Sequence, residues 1–517
     1  MLAWLETVST SSLAVALLAV LLGAYVSTPS AQERAVRHLP TPPGGRLRVT
    51  LSIMMRHGPR IYDWLLEQCR RYDGKPWRMQ LLGRPVTVIV STPADVEHVL
   101  KSEFESFEKG YYTSSVLHDV LGCGIFAVDG ALWAHQRKTA SHLFSLQMMR
   151  DIMEDAVRSH CAQLVEKLEG LESVEIKRLL DLFTMDVFTK IGFGVGVGGL
   201  KQNGAEEQQP FLDAFERSSM ALLFRFQQPL WLWRVKRFIG LGAIERQLKR
   251  DMDVINETIH RIIRQSMEEQ QYGTAQRRNL IGLFLDKAEA LEGMNDDEKA
   301  ILIRDMAVNF IAAGRDTTSQ SMTWFLVMMN RNPDVLGRVV EELDAKLPSE
   351  LVIPTMEDVQ QLVFLEAAIK ESMRLNPVVA ITSRTANRDT TLPDGTFLKA
   401  GTRVAYSSYV MARLPSVWGE DAEEFKPDRW IDPATGKLTQ VSPFQYPVFL
   451  GGPRLCLGMK FAMMEMKITL AVLLKKFELR TKQDPFAFTY RAAVTMGVRG
   501  PVHLQVRTRG RPVVSSD

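Results

Sequence analysis

Apolar and polar positions mark out four kinds of segment along the chain. From Thr7 to Gln32 there is no charge, and Leu13 to Val26 is almost wholly aliphatic. Such a stretch can span a bilayer, although Ser9 to Ser12 weaken it. A long helix is predicted from Asn295-Asp296-Asp297-Glu298, which reads as an N-cap with an acidic first turn, and no proline follows until Pro333. That helix has about 35 residues and is about 50 Å long, enough to cross a whole domain. Gly314 and two threonines in its middle predict a widened or kinked turn there, because glycine disfavours helix interiors and a Thr hydroxyl can bond the carbonyl four residues back. After Cys456, the apolar positions Phe461, Ala462, Met464, Met466, Ile468, Leu470, Val472 and Leu473 predict a buried helix starting near Leu457. Glu371 and Arg374 share the face of a helix that Pro377 must end. The polar stretches Gly198–Gln209 and Gln270–Arg278 are expected to be exposed loops. His38-Leu-Pro-Thr-Pro-Pro-Gly-Gly45 is expected to form a stiff hinge.

Composition narrows the picture. The chain has 517 residues with 63 Lys and Arg against 60 Asp and Glu, a net charge of +3 that does not suggest nucleic-acid binding. Its length could hold two or three average domains, yet no repeat or low-complexity linker divides it. The expected organisation is an anchor over 1–32, a basic and proline-rich hinge over 33–45, one large domain over 46–510 and a tail over 511–517. Cys69, Cys123, Cys161 and Cys456 lack pair spacing, so no disulfide framework is implied and a reducing compartment fits. Glu6 is the only charge before the N-terminal apolar run, so the positive n-region of a cleaved signal peptide is missing. Arg34, Arg37, Arg46 and Arg48 follow it, which puts the downstream side in the cytosol.

The chemistry concentrates in Phe449-Leu-Gly-Gly452-Pro-Arg454-Leu-Cys456-Leu-Gly458. Cys456 stands where a helix N-terminus is predicted, and unpaired N–H groups and the helix dipole there favour a thiolate. Gly452 and Gly458 suit a tight loop over a flat ligand, and Arg454 offers a fixed cation for a carboxylate. A lone cysteine is usually an inert core residue, but this spacing of glycines and arginine presents a thiolate to a metal. Trp133 and Arg137, four residues apart, bring an indole donor and a guanidinium to one helix face.

The segment resembles the haem-binding loop F-x-x-G-x-R-x-C-x-G of the cytochrome P-450 family, the haem-thiolate monooxygenases. Three other motifs support the resemblance: Ala313-Gly314-Arg315-Asp316-Thr317-Thr318 is similar to the family's A-G-x-D-T-T oxygen-binding motif, Glu371-Ser-Met-Arg374 to its E-x-x-R pair, and Phe425-Lys-Pro427-Asp-Arg429 to its F-x-P-x-R segment. The resemblance implies a mainly α fold with a smaller β region (α+β), with a long central helix and a preceding N-terminal membrane-anchor helix. It implies haem b, iron protoporphyrin IX, with Cys456 as axial thiolate and metal ligand, a ligation that favours O–O cleavage. It assigns Asp316 and Thr317 to proton delivery as catalytic residues, and Glu371, Arg374 and Arg429 to a structural network behind the haem. Trp133, Arg137, Arg454 and Arg384 would hold propionates, with Ala313, Gly314, Phe449, Gly452 and Gly458 around the ring. Residues placed at the substrate by position are Phe310, Ala313, Val378, Val379, Ala380, Thr495 and Met496.

The same resemblance implies a microsomal protein: single-pass in the endoplasmic reticulum membrane, monomeric, with a cytosolic catalytic domain. Electrons would come from NADPH through an NADPH-cytochrome reductase docking on a basic face of Arg137, Lys138, Arg454, Lys460 and Lys467. The substrates would be O2 and a lipophilic small molecule. The spelling A-G-R-D-T-T, G-P-R-x-C-L-G and Val417-Trp-Gly-Glu-Asp-Ala-Glu-Glu-Phe-Lys-Pro-Asp-Arg-Trp430 resembles plant and fungal fatty-acid and alkane omega-hydroxylases. A sterol or terpenoid hydroxylase is the alternative. Haem-thiolate isomerases and dehydratases tend to lose the acid and threonine kept here, and a haem sensor or carrier would not need them. Animal fatty-acid hydroxylases of that clan often carry glutamate where this chain has Ala313, so a covalent haem tether is not expected.

Overall fold

The computed structural model describes residues 28–201, 203–271, 282, 295–348 and 353–510. The apolar stretch Leu13–Val26 and residues 272–278 of the second polar stretch lie outside them. Among the described residues no helix is long and apolar enough to cross a membrane.

The central helix runs from Asp296 to Arg331, in three parts. Asn295 caps Asp296–Ile311 with a full capping box to Glu298, a π-helical turn occupies Ala312–Asp316, and Thr317–Arg331 completes the helix. The widening expected at Gly314 is therefore present. Every residue from Thr318 to Met329 is buried, because this helix is covered on all sides. Ile176–Phe193 packs along one side and Met459–Lys476 along another. Gly314 is dictated by that packing, since a Cβ there would overlap the Phe188 ring.

The main β region is a five-stranded sheet in the order Trp77–Met79, Thr87–Val90, Arg403–Tyr406, Thr382–Ala386 and Phe107–Glu108. Thr87–Val90 and Arg403–Tyr406 run parallel, and the other pairs are antiparallel. In Thr382–Ala386, Arg384 and Ala386 are buried while their neighbours are half-buried, so strand alternation turns Arg384 inward.

Two local expectations change. The proline-rich stretch does not stand free as a hinge: Arg78 donates from Nε to the Leu39 carbonyl at 3.0 Å, and just before the stretch Gln32 donates to the Ala400 carbonyl at 2.8 Å. The Arg78 backbone N–H also reaches the Pro40 carbonyl at 2.9 Å, so the folded body starts before residue 46. Gly198–Gln209 is a loop only at its start, with a helix running over Gly204–Gln227. Gly199 and Leu200 are held by their backbone N–H groups on the Asp186 carboxylate at 2.8 and 2.9 Å, a tertiary contact with no local signal.

Candidate functional site

Cys456 sits on a loop closed by its own backbone N–H, which donates to the Phe449 carbonyl at 2.9 Å. Inside the loop Leu450 has φ 61 and ψ −161, a region reserved almost wholly for glycine and costing about 1–3 kcal/mol. Gly452 also has positive φ, and a Cβ there would overlap the Leu100 backbone carbonyl. Close approach to the protein backbone by itself demands that glycine. Gly458, at φ −85, is the N-cap of the following helix, which starts at Met459, two residues from the expected start. The expected depression of the thiol pKa is not found. Burial pushes it up and outweighs the Gly458 N–H and the Arg137 charge. The thiol is exposed, but toward an internal cavity rather than bulk solvent.

That cavity holds about 270 Å³ open to the centre of a water molecule. Cys456, Phe449, Leu450, Gly458 and Phe461 form one wall. The central helix forms the opposite wall with Met306, Phe310, Ala313, Gly314, Thr317, Thr318 and Ser321, joined by Val378 and Val379. Ala380, Asp316, Thr495 and Met496 are not part of the lining. Ala380 and Met496 are core, Met496 donating its backbone N–H to the Val378 carbonyl at 2.7 Å.

One end of the cavity is cationic. Arg384 is 2 % exposed, and its Nη1 donates to the Ser383 carbonyl at 2.9 Å. Arg454 pairs with Asp129 at 2.6 Å and lies 4.1 Å over the Trp133 ring. Burial and the Arg384 charge lower the Arg454 pKa to about 10 against the opposing pull of Asp129. Lys109 lines the same end and is held well below the usual lysine range by burial and by both arginines. Arg137 donates to the Leu455 carbonyl at 2.8 Å. Among the described residues one carboxylate, Asp129, faces these cations, and two of their buried nitrogens, Arg384 Nη2 and Arg454 Nε, have no hydrogen-bond partner. Buried unpaired cations are costly. The residues therefore fit a flat group with carboxylates at one edge and an iron facing Cys456.

On the central-helix wall, the π turn releases backbone carbonyls that nearby hydroxyls recapture. Thr317 Oγ1 donates to the Ala313 carbonyl at 2.6 Å, and Thr184 Oγ1 donates to the Arg315 carbonyl at 3.2 Å. Asp316 turns away from the cavity. Its Oδ1 lies 2.8 Å from Arg315 Nη1, and Oδ2 accepts from Thr495 at 3.4 Å. Burial raises its pKa despite Arg315, with Asp181 adding to the rise.

Behind the Cys456 loop, Glu371 is fully buried and collects Arg374 Nε at 2.8 Å, Arg429 Nε at 2.9 Å and Trp430 Nε1 at 2.9 Å. The expected basic docking face is smaller than its sequence list. Lys467 is buried and bonded to Glu366 at 2.8 Å and Arg454 is buried, while Lys138 and Lys460 remain exposed.

Sequence reasoning missed Lys109, Asp129 and Glu465. Glu465 is fully buried, neither oxygen has a hydrogen-bond partner, and burial pushes its pKa well up although Thr318 favours the ionised form. A lone glutamate inside the apolar run Phe461–Leu474 was the available signal. Lys109 and Asp129 carried none, since only the fold brings them to Arg384 and Arg454.

A thiol wall, a cationic end and a widened helix together define a haem-thiolate class of site. The family model described as Cytochrome P450 matches residues 40–503, and the chain belongs to the cytochrome P450 family of monooxygenases. Cytochrome P450 CYP94D108 of Paris polyphylla is 34% identical, the match covering 83% of this chain and 84% of that protein. Cytochrome P450 94C1 of Arabidopsis thaliana is 34% identical over 87% of this chain and 90% of its own length. Cytochrome P450 86B1 of the same plant is 30% identical over 88% and 83%. Among solved structures, the haem domain of cytochrome P450DA superposes with a TM-score of 0.76 at 23% identity, covering 91% of this chain and 98% of that one.

Proposed function

We propose that this monooxygenase hydroxylates medium- and long-chain fatty acids at or near the terminal methyl group. The observation that carries the reading is the apolar lining on the central-helix side of the cavity, Met306, Phe310 and Ala313 with Val378 and Val379, which suits an alkyl chain beside the haem while the cations gather at the propionate end. The omega-hydroxylase spelling of the motifs supports it. A sterol or terpenoid would meet the same lining, and a substrate panel separates the three.

Bound haem supplies dioxygen activation at its iron: one oxygen atom enters a C–H bond, and the other leaves as water with two electrons from NADPH and two protons. Cys456 Sγ would ligate that iron. Arg384, Arg454, Arg137, Lys109 and Trp133 would hold the propionates. Thr317 holds a proton at Oγ1 at the cavity wall. Asp316, whose raised pKa suits exchange nearer neutrality, takes up and releases a proton at its carboxyl on the far side of the same turn. Glu371, Arg374 and Arg429 keep the Cys456 loop in place.

The electron donor is an NADPH-cytochrome reductase, and exposed Lys138 and Lys460 belong to its docking face. The apolar stretch Leu13–Val26 anchors the chain in the endoplasmic reticulum membrane, with the domain in the cytosol.

The test combines the purified full chain, reductase, NADPH and a panel of fatty acids, sterols and terpenoids. Terminal hydroxy fatty acids formed in step with NADPH consumption are expected. No fatty-acid product beside hydroxylated sterol or terpenoid would overturn the substrate reading. Thr317→Ala should keep consuming NADPH while hydroxylated product per NADPH falls about tenfold or more and hydrogen peroxide rises. Unchanged coupling would remove Thr317 from proton delivery.

A further inference from the structure

The loop between the helices Gly110–Leu121 and Gly130–Leu143 has no regular structure, yet two polar residues one turn apart on the central helix grip it. Asp305 Oδ2 accepts from the Cys123 backbone N–H at 2.7 Å. Asn309 Oδ1 accepts from the Phe126 backbone N–H at 3.2 Å, and its Nδ2 donates to the Leu121 carbonyl at 2.7 Å. Both side chains are buried, at 3 % and 2 % exposure. Arg304 fixes the other Asp305 oxygen at 2.7 Å, so the aspartate cannot swing away cheaply. The loop lies so close that a Cβ on Gly122 would overlap the Asp305 carboxylate, and one on Gly124 would overlap the Asn309 amide.

Ile125 and Phe126, between and beside these anchor points, line the cavity, and Phe126 remains 37 % exposed. A loop aromatic that is uncovered in this way owes its position to its backbone tethers. We infer that Asp305 and Asn309 are positioning residues that hold the Gly122–Phe126 loop against the central helix, so that Ile125 and Phe126 set the width of the substrate chamber and which carbon of the chain is presented. The inference rests on the reading of this cavity as the haem site with the substrate chamber on its central-helix side.

Neither anchor touches reacting atoms, so the readout must report chamber shape. Spectral titration of the full-length holoenzyme with imidazole and with 4-phenylimidazole compares a small and a bulky ligand at the same iron. Asn309→Ala and Gly124→Ala should each change the ratio of the two dissociation constants by about fivefold or more, the worth of one buried N–H left unpaired, with the imidazole constant little changed. Asp305→Ala should act likewise, whereas Asp305→Asn keeps an oxygen for the Cys123 N–H and should return toward the parent ratio. Leu343→Ala, in a fully buried position on another helix, lowers stability without moving the ratio. Should Asn309→Ala not fold, Asn309→Ser carries the same expectation with a smaller cavity. With a fatty acid that the parent hydroxylates, the anchor variants should also shift the ratio of terminal to subterminal alcohol. A ratio of constants within about twofold of the parent in both Asn309→Ala and Gly124→Ala overturns the inference, as does an equal shift in Leu343→Ala. A parent whose iron binds neither azole overturns the cavity reading itself.

Discussion

Glu371→Ala is expected to yield no stably folded, haem-loaded protein. The carboxylate is fully buried and is the common acceptor for Arg374, Arg429, the Trp430 indole and the Lys426 backbone N–H at 2.8–2.9 Å. Arg374 is 1 % exposed, and its remaining bonds go to main-chain carbonyls including Ala422 at 2.6 Å and Glu424 at 3.0 Å, so it cannot move out to water. Removing one partner of a buried ion pair strands the other charge and costs about 3–5 kcal/mol. Here Arg374 loses its carboxylate and Arg429 is left with Asp421 at 3.3 Å, against a net stability of about 5–15 kcal/mol for a typical domain. The exposed pair Lys101–Glu97, with 59% and 42% side-chain exposure, gives the contrast: Lys101→Ala should cost under about 1 kcal/mol. Urea unfolding and haem content of the two variants separate the cases. A Glu371→Ala protein as stable as Lys101→Ala would show that the network contributes little.

Gly452→Ala should leave the helices intact but sharply reduce haem incorporation. Two costs coincide there. The residue has φ +61, and its added Cβ would overlap the Leu100 carbonyl, a backbone atom in the turn His98–Ser102 that cannot rotate aside. The loop must therefore shift, and the same few residues carry Arg454 and Cys456. Gly395 is the control, with φ +87 and nothing within 4 Å of a Cβ. Gly395→Ala should cost only the backbone strain of about 1–2 kcal/mol and bind haem normally. Far-ultraviolet circular dichroism with haem absorbance reads both variants. Parent-like haem content in Gly452→Ala would mean that the loop yields more easily than its contacts indicate.

What could be read in the sequence divides along a physical line. The central helix was legible because its cap, its acidic first turn and the absence of proline are local, and its widened turn because Gly314 and Thr317 act on their own helix. Cys456, Glu371, Arg374 and Arg429 were legible because motif spacing holds them within a few residues of their defining neighbours. Lys109, Asp129 and the Asp305–Asn309 clamp were not. Each acquires its surroundings from segments distant in the chain, and a lysine after Glu108 or an asparagine in a helix looks like ordinary solvated surface until the fold covers it. The same cause explains the thiol of Cys456. Helix-terminus reasoning considered the local dipole alone, whereas tertiary burial sets the direction of the shift. Lys467 failed as a docking residue for the matching reason, since its apolar helix carries it into the core beside Glu366.

The central claim is that Cys456 presents a thiolate to the iron of a haem whose carboxylates sit among Arg384, Arg454, Arg137 and Lys109. The absorption spectrum of the reduced carbonyl complex of the full-length protein tests it most directly. The account predicts a red-shifted Soret band characteristic of thiolate ligation in the parent, and its complete loss in Cys456→Ala. A parent band at the unshifted position of a histidine-ligated haem, or a red-shifted band that survives in Cys456→Ala, would contradict it.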